Sequence, residues 1–172
     1  MTHTIESFSR QVRETLLADP SPTGREKVRS LLEEVVKEPG IVEQHLNDDQ
    51  PQRRVLYQDP DLGFAILGHV FKEARRTQPH DHGDSWAIYG QVAGETTMDG
   101  WEIVEPATAD APGKVRLRDS ATLTPGTARV YNEGEIHSPR RDGSAKLIRI
   151  EGNPNQTGPR NLWEPVVDRG TA

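Results

Sequence analysis

One residue separates His80 from His82, and a third histidine, His137, follows about fifty residues later. In an extended strand successive side chains alternate faces, so both imidazoles of the first pair point the same way. Two parallel imidazoles on a backbone stiffened by Pro79 can grip one metal ion, although the pair alone also fits two surface histidines. The run Val130-Tyr-Asn-Glu-Gly-Glu-Ile-His137 supplies a third donor behind a glycine-containing turn. The chain has no cysteine, which excludes disulfides, thiolate ligands and a cysteine nucleophile. Any metal must therefore be held by histidine or carboxylate.

The rest of the chain is punctuated for a β-rich body behind a helical start. The 172 residues, with 13 prolines and 15 glycines, predict one domain with many turns. Residues 1–50 read as a helical segment, 51–152 as a β-barrel and 153–172 as a tail. Ile5, Phe8, Val12, Leu16 and Leu17 predict a helix over 4–18. Val28, Leu31, Leu32 and Val35 predict another over 23–37, with Thr23 and Glu26 as a capping box and Pro39-Gly40 as its stop. Residues 41–46 suggest a short third helix. These stripes are expected to pack on the body, the rival reading being a partner-binding arm. Strands are expected at 54–57, 64–71, 86–92, 96–105, 114–123, 128–132 and 146–151, between turns at Asp59-Pro60, Gly94, Pro112-Gly113, Pro125-Gly126 and Asp142-Gly143. Many short strands with such punctuation predict a sandwich or barrel. Leu162 and Trp163 are expected to pin the tail, with the last residues frayed. A net charge of −6 gives no nucleic-acid footprint. No long apolar run and no basic-then-apolar start is present, so the expectation is a cytoplasmic protein without a membrane partner.

The order His80-x-His82, Gly94, Pro125-Gly126, Gly134-x-x-His137 resembles the two metal motifs of cupins. The resemblance implies a mainly β chain, a double-stranded β-helix or jelly-roll barrel with an N-terminal helical segment. Within the cupins, the chain resembles the thiol dioxygenases, cysteine dioxygenase and 3-mercaptopropionate dioxygenase. The usual cupin glutamate ligand is replaced at the corresponding positions by Trp86 and Ala87, and a three-histidine site without a carboxylate is what that family uses. Asp81 within His-Asp-His and the eleven residues between His82 and Gly94 fit as well. Matched motif by motif, His80, His82 and His137 are the implied ligands. Arg54 stands at the implied position of the arginine that holds a substrate carboxylate, for which its planar fork is suited. Its other reading is a solvated strand residue, and Arg53 would then face the opposite way.

Two departures bear on the substrate. A cysteine–tyrosine crosslink found in some members cannot form, because the matching positions are Ala87 and Glu151. The family's Ser-x-His-x-Tyr run is replaced by Leu147-Ile148-Arg149-Ile150-Glu151. Leu147, Arg149 and Glu151 share a face, which either meets solvent or puts an arginine and a glutamate near the metal. Tyr89 and Gln91 share a face with Ala87 and are candidate pocket residues, Tyr89 fitting core packing equally. Tyr131 is a candidate wall or core aromatic. Glu95 reads as solvated, His69 as an ordinary strand histidine, and His3 and His45 as surface residues.

The implied function is a mononuclear non-haem Fe(II) dioxygenase that oxidises a small carboxylated thiol to a sulfinic acid with O2. Arg54, Tyr89, Arg149 and Glu151 are the candidate catalytic residues, and Arg54, Tyr89, Gln91 and Tyr131 the candidate substrate contacts. Nitrogen donors also suit Ni, Cu, Zn or Mn. Two alternatives stand beside this: a cupin dioxygenase or isomerase for a non-thiol acid or ketone, and a non-catalytic metal- or small-molecule-binding cupin. Monomer and homodimer both remain open.

Overall fold

The computed structural model describes residues 2–153 and 163–166. Helix α1 spans Ile5–Ala18 and is opened by a reciprocal capping box between Thr4 and Ser7. It buries Ile5, Phe8, Val12 and Leu16 along one stripe, whereas Leu17 lies off that stripe and is exposed. Helix α2 spans Pro22–Val35. Its cap is Ser21, not Thr23, because Pro22 takes the first helical position, where a missing N–H costs nothing. The expected capping box therefore does not form, and Glu26 pairs instead with Arg29 at 2.6 Å. Pro39 does not close α2. It opens helix α3, Pro39–His45, for the same reason that Pro22 opens α2.

Among the described residues ten strands follow: β1 Arg53–Gln58, β2 Ala65–Phe71, β3 Arg75–Arg76, β4 Ala87–Ala93, β5 Thr96–Glu105, β6 Gly113–Leu123, β7 Ala128–Tyr131, β8 Ile136–Arg141, β9 Ala145–Glu151 and β10 Trp163–Pro165. They form two five-stranded sheets, ordered β1-β2-β9-β4-β7 and β10-β6-β5-β8-β3. The chain passes back and forth between the two sheets, which makes the body a cupin double-stranded β-helix. Strands β3, β8 and β10 were not legible as strands. Strand β8 reads Ile-His-Ser-Pro-Arg-Arg, a polar run interrupted by Pro139, and it is formed by pairing with β5 rather than by its own propensity.

The first sheet is covered on both faces. Ile66, Ile88, Ile148 and Ile150 point outward from the barrel and pack with Phe8, Val12, Val28 and Leu32 of the helices. Double burial explains why β2 is buried at all seven positions and shows no polar alternation. The inner face carries His69, Tyr89, Leu147, Arg149 and Glu151, aligned across β2, β9 and β4 by register. Ion pairs stitch the helices to barrel loops: Arg13 to Asp59 at 2.8 Å and to Asp61 at 2.6 Å, and Arg25 to Glu133 at 2.6 Å. In the second sheet, β6 alternates, with Lys114 and Arg116 exposed beside buried Val115. The tail contributes β10, which pairs in parallel with β6, and its Trp163 is buried. Leu162 and the last residues, 167–172, lie outside the described residues. Among the described residues no helix is long and apolar enough to cross a membrane.

Close approach of helix to sheet depends on Gly90 in β4. A β-carbon there would meet Leu32 at 2.8 Å and Val36 at 2.9 Å, inside a packed core. Gly90→Ala is therefore expected to lower unfolding free energy by about 1–3 kcal/mol in urea denaturation. An unchanged midpoint would mean that the helices sit loosely on the sheet.

Candidate metal centre

The three histidines converge. One ring nitrogen each from His80, His82 and His137 lies within 4.8 Å of the other two. The route to this geometry differs from a simple strand. His80 is held by an isolated two-hydrogen-bond bridge to His137, with N–H to carbonyl distances of 3.0 and 2.9 Å. After it the chain turns at Gly83, whose φ of 60° suits glycine. Side-chain alternation still holds across this short extended piece. His80 and His82 face the cavity, and Asp81 points the other way. There Asp81 accepts the indole N–H of Trp163 at 3.0 Å and the backbone N–H of Gly83 at 2.9 Å. The carboxylate within His-Asp-His is thus a brace for the ligand loop, and no carboxylate joins the cluster among the described residues.

The protonation pattern fits a cation. Nδ1 of His137 faces the Glu135 carbonyl at 3.1 Å and Nδ1 of His80 faces the Gln78 carbonyl at 2.9 Å. An Nδ1 that donates to a carbonyl leaves its Nε2 as a lone pair, the ligating form. Burial, followed by the neighbouring His80 and His82, holds the pKa of His137 well below that of a free histidine, so its ring is neutral. Nε2 of His82 and Nε2 of His137 stand 3.2 Å apart, and the Tyr89 hydroxyl is 3.2 Å from each. One hydroxyl proton cannot donate fully to two nitrogens, whereas one metal ion can accept from both. The donor set fits a borderline divalent metal such as Fe(II), Zn, Ni or Mn.

Beside the histidines lies a cavity of about 410 Å³, within the range of small-ligand sites. Its lining holds four arginines, Arg53, Arg75, Arg141 and Arg149, against one carboxylate, Glu151. Arg149 pairs with Glu151 at 2.7 Å and lies 4.9 Å above the Tyr89 ring. Arg53 reaches the same carboxylate at 3.8 Å. The inward placement of Arg149 and Glu151, one of the two expectations for that strand, is the one realised. Ala87 stands directly across from Glu151, as the matched crosslink positions imply.

Other expected residues fall elsewhere. Arg54 is exposed, donates to Gln50 at 2.8 Å and does not line the cavity. The cause is register: Arg53 pairs with inward-facing His69 and Arg54 with Gly68 on the helix side. Gln91 is fully buried outside the cavity lining, and its amide donates to the Ala93 carbonyl at 3.0 Å. Tyr131 is also behind the cavity wall. Its ring packs 4.1 Å from that of His137 and at a right angle to Tyr89, so it backs the candidate ligand and does not line the cavity. Burial raises its phenol pKa far above the usual value. His69, expected to be ordinary, lines the cavity, and its Nε2 is buried without a hydrogen-bond partner. Arg141, Arg75 and Phe71 were missed as lining residues, whereas Trp163, expected to pin the tail, does so and also bonds Asp81. Alternation counted on from His137 through Pro139 to Arg141 was the available signal for Arg141.

No protein-family model matches the chain, and no curated protein does. Solved structures of similar shape include a protein with a double-stranded β-helix domain from Klebsiella pneumoniae, at 13% identity and TM-score 0.48, covering 72% of this chain and 88% of that one. A cupin-2 domain protein from Shewanella frigidimarina matches at 18% identity and TM-score 0.44, covering 63% and 86%. KdgF from Halomonas matches at 18% identity and TM-score 0.44, covering 63% and 88%. The chain has a double-stranded β-helix fold with a candidate three-histidine metal centre.

His137→Ala is expected to abolish stoichiometric metal uptake after reconstitution, read by elemental analysis. Full retention would remove His137 from the centre. Acid sensitivity follows from His69, whose pKa falls to about 3, chiefly through burial and then through Arg149 and Arg141. Its unfolded pKa is about 6.5. Between these values the unfolded chain binds a proton that the folded one refuses, so stability is present above about pH 6.5 and falls as pH drops toward about 3. His69→Gln should make that slope shallower by about 1.4 kcal/mol per pH unit, measured by urea denaturation from pH 6 to pH 4.

Proposed function

We propose that this chain is a metal-dependent dioxygenase that converts a small carboxylated thiol and O2 into the corresponding sulfinic acid. The observation that carries this reading is an all-histidine donor set, without a carboxylate, opening onto an arginine-rich cavity. Both oxygen atoms of O2 end on sulfur, so no other reductant is consumed. Bound Fe(II) supplies the Lewis-acidic, redox-active centre for this chemistry.

The chain's own residues bind and orient. Arg149 takes the substrate carboxylate through its guanidinium fork, and Glu151 fixes its direction from 2.7 Å away. Tyr89 presents a hydroxyl beside His82 and His137, where it can donate to a substrate atom. Phe71, Pro139 and Leu147 line the cavity with apolar surface and exclude water from the charged groups. The alternative acid or ketone substrate is favoured by one feature: an arginine and a glutamate occupy the late-strand positions at which the thiol dioxygenases carry histidine and tyrosine.

The test is anaerobic loading with Fe(II), followed by oxygen uptake across thiols with and without a carboxylate. Uptake with sulfinate formation from a carboxylated thiol is expected. Arg149→Gln should raise KM for carboxylated thiols about 10- to 100-fold, the worth of a charge-assisted contact, and leave cysteamine unchanged. Arg54→Ala should alter neither. No uptake with any thiol, but turnover of a non-thiol acid, would replace this reading with the alternative. Metal binding without any turnover would leave a binding protein.

A further inference from the structure

We propose that the cavity holds a second anion subsite, built on Arg141, and that the substrate therefore carries a second carboxylate. This rests on reading the cavity as the substrate site, and it adds a group that the one-carboxylate reading does not need.

Arg141 is 5% exposed and lines the cavity. Its Nε donates to the buried Thr96 hydroxyl at 3.1 Å, and its guanidinium lies 4.1 Å from the centre of the Phe71 ring. These contacts aim the guanidinium but leave its charge uncompensated. No carboxylate pairs with Arg141 among the described residues. The cavity's one carboxylate, Glu151, is taken up by Arg149 and Arg53. Arg75, at the rim and 5.9 Å from the same Phe71 ring, adds a further positive charge.

A buried cation without a counter-ion is costly, and an anionic ligand beside Arg141 would supply the missing charge. The strain is visible in Arg141 itself: burial, then the like charges of Arg149 and Arg75, pull its pKa down to about 10, against the opposing influence of Tyr89. It is still charged at neutral pH. His69, the neighbouring lining residue, brings a buried Nε2 with no hydrogen-bond partner.

The two arginines enter the cavity from different sheets. Arg149 sits over Tyr89, whose hydroxyl touches His82 and His137. Arg149 comes from β9 of the first sheet, whereas Arg141 comes from β8 of the second, four residues beyond His137. A ligand with an acid group at each end can meet both arginines across the cavity. The planar fork of arginine matches a carboxylate in two hydrogen bonds.

The experiment is calorimetric titration of the purified protein, its metal content measured, with butyrate and with unbranched dicarboxylates from succinate to adipate. At least one dicarboxylate is expected to bind about 10-fold tighter than butyrate or better. Arg141→Gln should abolish that preference while leaving butyrate affinity within about twofold. Equal affinity for butyrate and every dicarboxylate overturns the proposal, as does a preference that survives in Arg141→Gln. If Arg141→Gln does not fold by thermal melt, Thr96→Val carries the comparison: a weakened preference supports the subsite, an unchanged one overturns it. None of these probes is a thiol. A failure of thiol oxidation with the dicarboxylate preference intact therefore removes the dioxygenase reading alone, and the reverse result removes only the second subsite.

Discussion

The site depends on a sheet whose two faces do different work. On the outer face, Ile66, Ile88, Ile148 and Ile150 lock against helices α1 and α2. Burying this apolar surface is the main favourable term available to the chain. It fixes the twist and position of β2, β4 and β9, so that the opposite face can hold groups that destabilise. That opposite face carries the buried His69 and Tyr89 and the half-buried Arg149 and Glu151. Without the helical cover the sheet would have only its cavity face to bury, and that face is charged.

The cavity is assembled from groups that water would otherwise solvate. Three imidazoles, a phenol and several arginines share one enclosure with a single carboxylate among the described residues. Burial keeps His137 and His69 neutral and leaves Arg141 charged at a cost. The two outcomes follow from intrinsic basicity. Histidine titrates within reach of neutral pH and can shed its proton, whereas a guanidinium cannot. The same enclosure thus places lone pairs able to ligate a metal on one side and guanidinium cations on the other.

Bracing extends well beyond the histidines. Trp163, from the tail, reaches back to Asp81 and holds the loop between two of the candidate ligands. Arg25 of α2 joins Glu133 and Asn132 in the turn that leads to His137, and its guanidinium lies 5.4 Å from the Trp86 ring. Helix α2 and the tail therefore position the two ligand loops from opposite ends of the sequence. Such outer contacts set the orientation of ligand rings, which decides how tightly a metal is held.

The sequence by itself determined the donor set, the strand punctuation and the two amphipathic helices, because each is written in local spacing. His80-x-His82 needs only alternation, and the stripe of Phe8, Val12 and Leu16 needs only helical period. Tertiary structure decided which arginines enter the cavity. Arg53 and Arg54 are adjacent and chemically identical, and only the pairing of Arg53 with His69 in β2 turns one inward and the other out. A one-residue slip would exchange them, since a strand repeats every two residues. Arg141 became an interior residue through the same kind of decision. Its strand is polar, contains Pro139 and exists because β5 accepts it as a partner. The contact of Asp81 with Trp163, 82 positions apart in sequence, could not be read at all before folding. Local periodicity says which side chains share a face, but the partner strand chooses which face is the inside.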